Sequence, residues 1–204
     1  WTYDATIAAR YAALGSLPTV DFNGAAHEAD TPDTADLNFG NATIDGPCSW
    51  LILCKPDVND ALMTLMAKEA SAAAEEWNVR LNASGHLVLT LTDESASATI
   101  IGTYATAVGT AWTLLGASYD GRATNAGITL YKNGVAVTTT ASGAGTYTAM
   151  EDTTALAHLG ARYATKQEFF NGLIALALLC PGELHADQHF EAKELVNAIT
   201  GLSL

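Results

Sequence analysis

The sequence predicts an all-β protein: a sandwich or barrel of about ten short strands, closed near the C-terminus by one amphipathic helix. Three observations carry this. Apolar and polar residues alternate with period two in successive short runs, the mark of strands with one buried face. Turn residues separate the runs, and no strand–helix alternation argues for a parallel sheet. The composition agrees: of 204 residues 49% are apolar and only 15% charged, and Thr, Ser, Asn and Gly fill the polar positions of strands and turns. A chain of this length can bury one substantial core.

Residues 1–17 are Ala-rich, with Ile7, Tyr11 and Leu14 at helical spacing before Gly15 and Pro18 stop the pattern. Residues 1–18 are therefore expected to be an arm. It would either dock on a partner or sister subunit or fold back over an edge strand. Residues 19–204 are expected to form one domain. Val20 to Gly24 alternates before a turn, and 30–38 reads as a loop. Residues 47–56 place Cys48, Trp50, Ile52 and Cys54 on one face and Leu51 and Leu53 on the other. Both faces are apolar, so this strand should be central and covered on both sides, with Trp50 and Ile52 between the sheets.

Residues 60–74 fit either a helix fragment or a strand. Trp77, Val79 and Leu81 alternate with Asn78, Arg80 and Asn82. A Gly-containing turn then leads into Leu87, Leu89 and Leu91, which makes a hairpin. Strands follow at 99–104 and 112–119. The runs 128–131 and 135–139 flank Asn133-Gly134, a pair suited to a type I′ turn, whose central residues need positive φ. Strands at 156–161 and 169–179 complete the series. Ala192, Leu195, Val196 and Ile199 then mark one helix face, and Gly201 can end that helix.

There are 22 acidic and 9 basic residues, a formal charge of −13. This repels nucleic-acid backbones and disfavours anionic membranes, while favouring solubility and attracting cations such as Ca²⁺. The longest apolar run, 173–180, is far short of the ~20 residues of a membrane-spanning helix. No signal peptide is read in these residues, and the start at Trp1 is expected to be processed, trimmed or excised from a longer protein. Cys48 and Cys54, six residues apart in one extended strand, would sit about 20 Å apart. That is beyond the ~7 Å Cα limit of a disulfide. Cys180 could pair with one of them, but three buried free thiols are the expectation.

The ordered motifs resemble the laminin-G-like domains of the concanavalin A-like lectin and glucanase superfamily. Asp21-Phe22-Asn23-Gly24 is similar to the opening strand of that family, and Cys48-Ser49-Trp50-Leu51-Ile52-Leu53-Cys54-Lys55-Pro56-Asp57 to its central strand. Trp112 through Tyr119-Asp120-Gly121, then Leu130-Tyr131-Lys132-Asn133-Gly134-Val135, resembles its hairpin. Leu159-Gly160-Ala161-Arg162 and Phe170-Asn171-Gly172-Leu173-Ile174-Ala175 resemble its last strands. The likeness spans about 19–200 and implies an all-β, two-sheet antiparallel jelly-roll sandwich with a short C-terminal helix. The family often carries acids after the last of these motifs. This chain has none there, which removes support for a ligand role of that strand.

A glycosidase needs two carboxyl groups facing one sugar bond, and the glucanase strand motif is missing. Glu75-Glu76 and Asp93-Glu94 read as solvated loop acids. The histidines, His27, His86, His158, His185 and His189, accompany no nucleophile elbow. His185 and His189 lack an H-E-x-x-H pattern, and His185 reads as a helix start. No enzyme is expected. Asp21, Glu28, Asp30, Asp33 and Asp36 crowd one loop region, so Ca²⁺ is the cofactor the chain would suit. Sugar binding uses an aromatic face with fixed polar groups. Trp77, Tyr104, Tyr119, Tyr147 and Tyr163 are the aromatic candidates, Trp50 and Trp112 reading as core. Arg80 is placed to line an outer sheet face. The ligand-binding candidates are Trp77, Arg80, Tyr104 and Tyr163.

A non-catalytic binding or assembly module is therefore expected, at a virion surface or outside the cell. One form is a phage capsid decoration, tail or fibre protein with glycan binding, partnered by other virion proteins or sister subunits. The alternative is a carbohydrate-binding or adhesion module of a secreted bacterial protein. Neither nucleic acid nor membrane insertion is expected.

Overall fold

The computed structural model describes residues 2–3, 17–71, 74–163 and 167–204. In chain order the strands are β1 (Thr2–Tyr3), β2 (Val20–Asn23), β3 (Ala29–Thr31), β4 (Cys48–Pro56), β5 (Met63–Glu69), β6 (Glu75–Leu81) and β7 (His86–Asp93). They continue with β8 (Ala98–Ala107), β9 (Thr113–Tyr119), β10 (Ile128–Lys132), β11 (Val135–Val137), β12 (Thr139–Ala144), β13 (Ala157–Leu159) and β14 (Asn171–Pro181). Helix α1 (Ala186–Thr200) follows. One sheet has the order β1-β3-β13-β5-β6-β7-β8-β12 and the other β11-β10-β9-β4-β14-β2. All pairings are antiparallel. This is the jelly-roll sandwich expected from the sequence.

Period-two alternation sorts the side chains. Trp50, Ile52, Trp77, Val79, Leu81, Leu87, Leu89 and Leu91 meet between the sheets, where Trp50, Trp77 and Phe39 form an aromatic centre. The opposite face of β4, Leu51 and Leu53, joins Leu114 and Val196 in a second cluster that seats α1 on the outside of the six-stranded sheet. β4 is thus covered on both faces, as its apolar runs require. Asn133 and Gly134 both take positive φ, 51° and 73°, in the turn between β10 and β11. The ambiguous stretch 60–74 resolves as strand β5.

Several readings need correction. The expected helix face is rotated: His189 and Val196 are buried, whereas Leu195 and Ile199 are exposed. The cause is a docking point at Gly116, where an added Cβ would lie 2.7 Å from the His189 ring. Cys48 and Cys54 are buried free thiols, but Cys180 is only half-buried. Trp112 lies just before β9, partly buried against the outer cluster rather than between the sheets. Of the expected arm, Thr2 and Tyr3 pair with Asp30 and Ala29 at the sheet edge. Residues 4–16, which hold the helical pattern, lie outside the described residues. No described helix is long and apolar enough to cross a membrane.

Candidate functional site

On β6, Trp77, Val79 and Leu81 point into the core, so Glu76, Asn78 and Arg80 face outward from the eight-stranded sheet. Around Arg80 the fold assembles a charged cluster. Arg162 and Gln167 exchange backbone hydrogen bonds of 2.8 Å each. From there the Arg162 guanidinium reaches three carboxylates. Its Nε donates to Glu69 (2.6 Å), Nη2 to Glu75 (2.7 Å) and Nη1 to Glu168 (3.1 Å). It also lies 4.2 Å over the Tyr163 ring, whose hydroxyl donates to Glu75. Asn78 donates to Glu69 (2.7 Å) and Thr64 to Glu168 (3.2 Å). Arg80 Nη1 is 4.0 Å from Glu168, with 23% of its side chain exposed, and its Nε is buried without an acceptor among the described residues.

Burial pushes the Glu69 carboxyl up to about 7, against the pull of Arg162 and Asn78. Burial opposes the charge of Arg162, yet Glu69, Glu75 and Glu168 hold the guanidinium ionised above its ordinary range. The Tyr163 hydroxyl is raised by burial and by its bond to Glu75. Tyr163 and Glu168 both occupy the left-handed region, at φ 60° and 52°. Side chains other than glycine seldom adopt it, and such strain concentrates at functional sites.

Glu168 also lines a groove of about 330 Å³ at one end of the sandwich, with Asn23, Val58, Leu62, Phe169 and Asn171. The groove thus combines an aromatic, apolar walls, two amides and a carboxylate, and Glu168 joins it to the arginine cluster. A larger concavity, about 540 Å³, lies between residues 38–47 and Pro181-Gly182. Several of its polar groups are already committed. Asn41 accepts from Thr43 and Ile44, and Asp45 accepts from Tyr119 (2.6 Å), Tyr147 (2.7 Å) and the Met150 amide (2.8 Å).

Of the sequence candidates, Arg80 and Tyr163 join the same cluster, Arg80 through Glu168 and Tyr163 through Glu75 and Arg162. Trp77 is 0% exposed against Trp50, and so cannot offer its face to a ligand. Tyr104 packs against the main core from β8, and Tyr119 and Tyr147 are tied to Asp45. The acids expected in solvated loops are in part buried: Glu76 binds Lys68 and Thr153, and Asp93 accepts the amides of Ala96 and Thr148. Of the acids expected to suit Ca²⁺, Glu28 and Asp30 lie close together, while the other three stand apart from them. Asp21 lies in the other sheet, Asp33 pairs with Lys68 at 3.2 Å, and Asp36 is exposed. His185 is the helix N-cap, and His189 is buried beneath α1. Sequence reasoning missed Glu69, Glu168 and Arg162 as site residues; only the Arg162 turn lay in a quoted motif.

Solved structures share this fold at low identity. The botulinum neurotoxin serotype G binding domain superposes with a TM-score of 0.64 at 9% identity, over 89% of this chain and 43% of that one. The binding domain of botulinum neurotoxin DC, in complex with rat synaptotagmin II, gives 0.63 at 11%, over 87% and 43%. The chain spans less than half of those structures. A Ruminococcus gnavus IT-sialidase CBM40 bound to α2,3-sialyllactose gives 0.54 at 15%, over 86% of this chain and 97% of that one. No curated protein matches. The family model for the concanavalin A-like lectin/glucanases superfamily, of laminin-G type, matches residues 23–188. The chain therefore belongs to that superfamily, as a laminin-G-like jelly-roll domain.

Proposed function

We propose that the chain is a non-catalytic glycan-binding module that works at an extracellular or particle surface. The observation that carries this is the strained Glu168, which lines a groove with an aromatic and two amides and is joined to Arg80 and to Arg162, the guanidinium over Tyr163, in the cluster beside it. Fixed polar groups beside an apolar platform are what sugar recognition requires. The three carboxylates are hydrogen-bonded to one guanidinium, an arrangement that orients them for binding rather than leaving one free as acid and another as base. The CBM40 structure, bound to α2,3-sialyllactose, and the neurotoxin binding domains support a binding role on this fold. An acidic chain rich in Ala, Thr and Gly supports a phage virion setting, with other virion proteins or sister subunits as neighbours. A secreted bacterial adhesion protein is the other setting.

The test is calorimetric titration with a panel of neutral and sialylated oligosaccharides, using wild type, Arg80→Gln and Phe169→Ala. At least one glycan should bind, and each substitution should weaken it about tenfold, roughly 1.4 kcal/mol, at an unchanged melting temperature. Absence of binding across the panel, or wild-type affinity in both variants, overturns the reading. So does reducing-sugar release from any bound glycan.

A further inference from the structure

The eight-stranded sheet carries a second constellation, away from the groove. Period two puts Glu28 and Asp30 on one face of the strand that begins at Ala29. The antiparallel register sets His158 of β13 directly opposite Asp30, and side chains so paired stand side by side. One carboxylate oxygen each from Glu28 and Asp30 and one imidazole nitrogen of His158 lie within 4.8 Å of one another. His158 Nδ1 is 3.2 Å from Glu28 Oε2. The histidine is only 1% exposed, and its Nε2 is buried with no hydrogen-bond partner among the described residues. A buried imidazole that sets Nδ1 against one carboxylate, with a second carboxylate in ligand range and its other nitrogen unused, is an electrostatic sink for a cation.

We propose that Glu28, Asp30 and His158 form a binding site for a divalent first-row transition ion. The donor set selects the class. Ca²⁺ takes six to eight oxygens at flexible geometry, whereas an imidazole with carboxylates suits Zn²⁺ and its neighbours. Across that series a nitrogen-containing site holds Zn²⁺ more tightly than Mn²⁺. Glu28 and Asp30 precede and occupy β3 and His158 lies on β13, so a bound ion would tie two neighbouring strands of the sheet edge to each other. The site does not depend on the glycan groove, and either can fail alone.

The experiment uses chelator-treated full chain. Zn²⁺, Mn²⁺ and Ca²⁺ are titrated separately, with native mass spectrometry for stoichiometry and thermal melts for stabilisation. One Zn²⁺ per chain is expected, with a raised melting temperature, a smaller rise for Mn²⁺ and none for Ca²⁺. Asp30→Asn and His158→Gln should each weaken Zn²⁺ binding at least tenfold. Asp30 is only part-buried, so its variant keeps the test open if the histidine variant fails to fold. No Zn²⁺ binding by wild type, stabilisation by Ca²⁺ alone, or unchanged Zn²⁺ affinity in Asp30→Asn would each overturn the site. Zn²⁺ binding abolished by His185→Ala would do the same, since His185 is an exposed histidine outside it.

Discussion

Among single residues, Trp50 carries the most easily tested claim. Its ring lies 5.5 Å from Trp77 and 6.1 Å from Phe39, centroid to centroid, and its Nε1 has no hydrogen-bond partner among the described residues. Its contribution is therefore packing. Trp50→Ala should cost about 3–5 kcal/mol, read by urea denaturation, and a loss under about 1 kcal/mol would contradict the packing described. The same strand logic exposes a conflict in the sequence reading. Trp77 and Arg80 are three residues apart in β6, and an odd separation puts them on opposite faces of a strand. They could not share a site, and the period-two rule alone would have separated them. By contrast, nothing local in the sequence signalled that Glu69 and Glu76 are buried. Each is stabilised by a partner distant in sequence or across a strand, Arg162 and Lys68 respectively.

Among the elements, α1 shows how a correct periodicity can still leave the docking face unresolved. Its spacing marks a helix, but the contact is set by Gly116, which leaves room for His189. That ring stacks on Tyr131 at 3.7 Å, and its Nε2 lies 2.9 Å from the Ser118 hydroxyl. Burial lowers the His189 pKa to about 4. The unfolded chain therefore takes up this proton before the folded one does. Stability from this residue is complete above about pH 6.5 and is lost as pH falls towards 4, by up to about 1.4 kcal/mol per pH unit. His189→Gln should flatten that part of the profile. The check is the difference between wild-type and variant unfolding free energies from pH 7 to 4, where parallel curves would mean the histidine is protonated in the fold. Hairpins were the most legible elements, because the Asn133-Gly134 turn and the alternation of β6 and β7 are local signals. β5 was not, since Leu62, Met63, Leu65 and Met66 suit either period and only pairing with β6 and β13 decides between them.

Across the whole molecule, the six-stranded sheet has α1 on its outer face, and the eight-stranded sheet carries both the arginine cluster and the proposed cation ligands. Fold class was legible because many weak strand signals agreed. The site was not, because it joins β5, β6 and the turn after β13, which no sequence neighbourhood contains. The charge of −13 is also a whole-molecule property. Self-repulsion opposes the compact state and is screened by salt, while the part-buried Arg162 network is screened less. Raising NaCl from about 0.01 M to about 0.15 M, over which the Debye length falls from about 30 Å to about 8 Å, should raise the melting temperature. A fall, seen by calorimetry, would mean that surface ion pairs outweigh net charge.

The three thiols add a last consequence. Cys48 faces the core between the sheets, and Cys180 sits with the outer cluster on the neighbouring strand, where its register partner is Ser49. Cys54 lies six residues along β4, too far from Cys48 in an extended chain to meet it. No pair among the three can close without turning a strand over. The sandwich therefore has no bridge within the chain for glutathione to reduce and none for an oxidising compartment to form. Its stability rests on packing, hydrogen bonds and ion pairs rather than on a bridge within the chain.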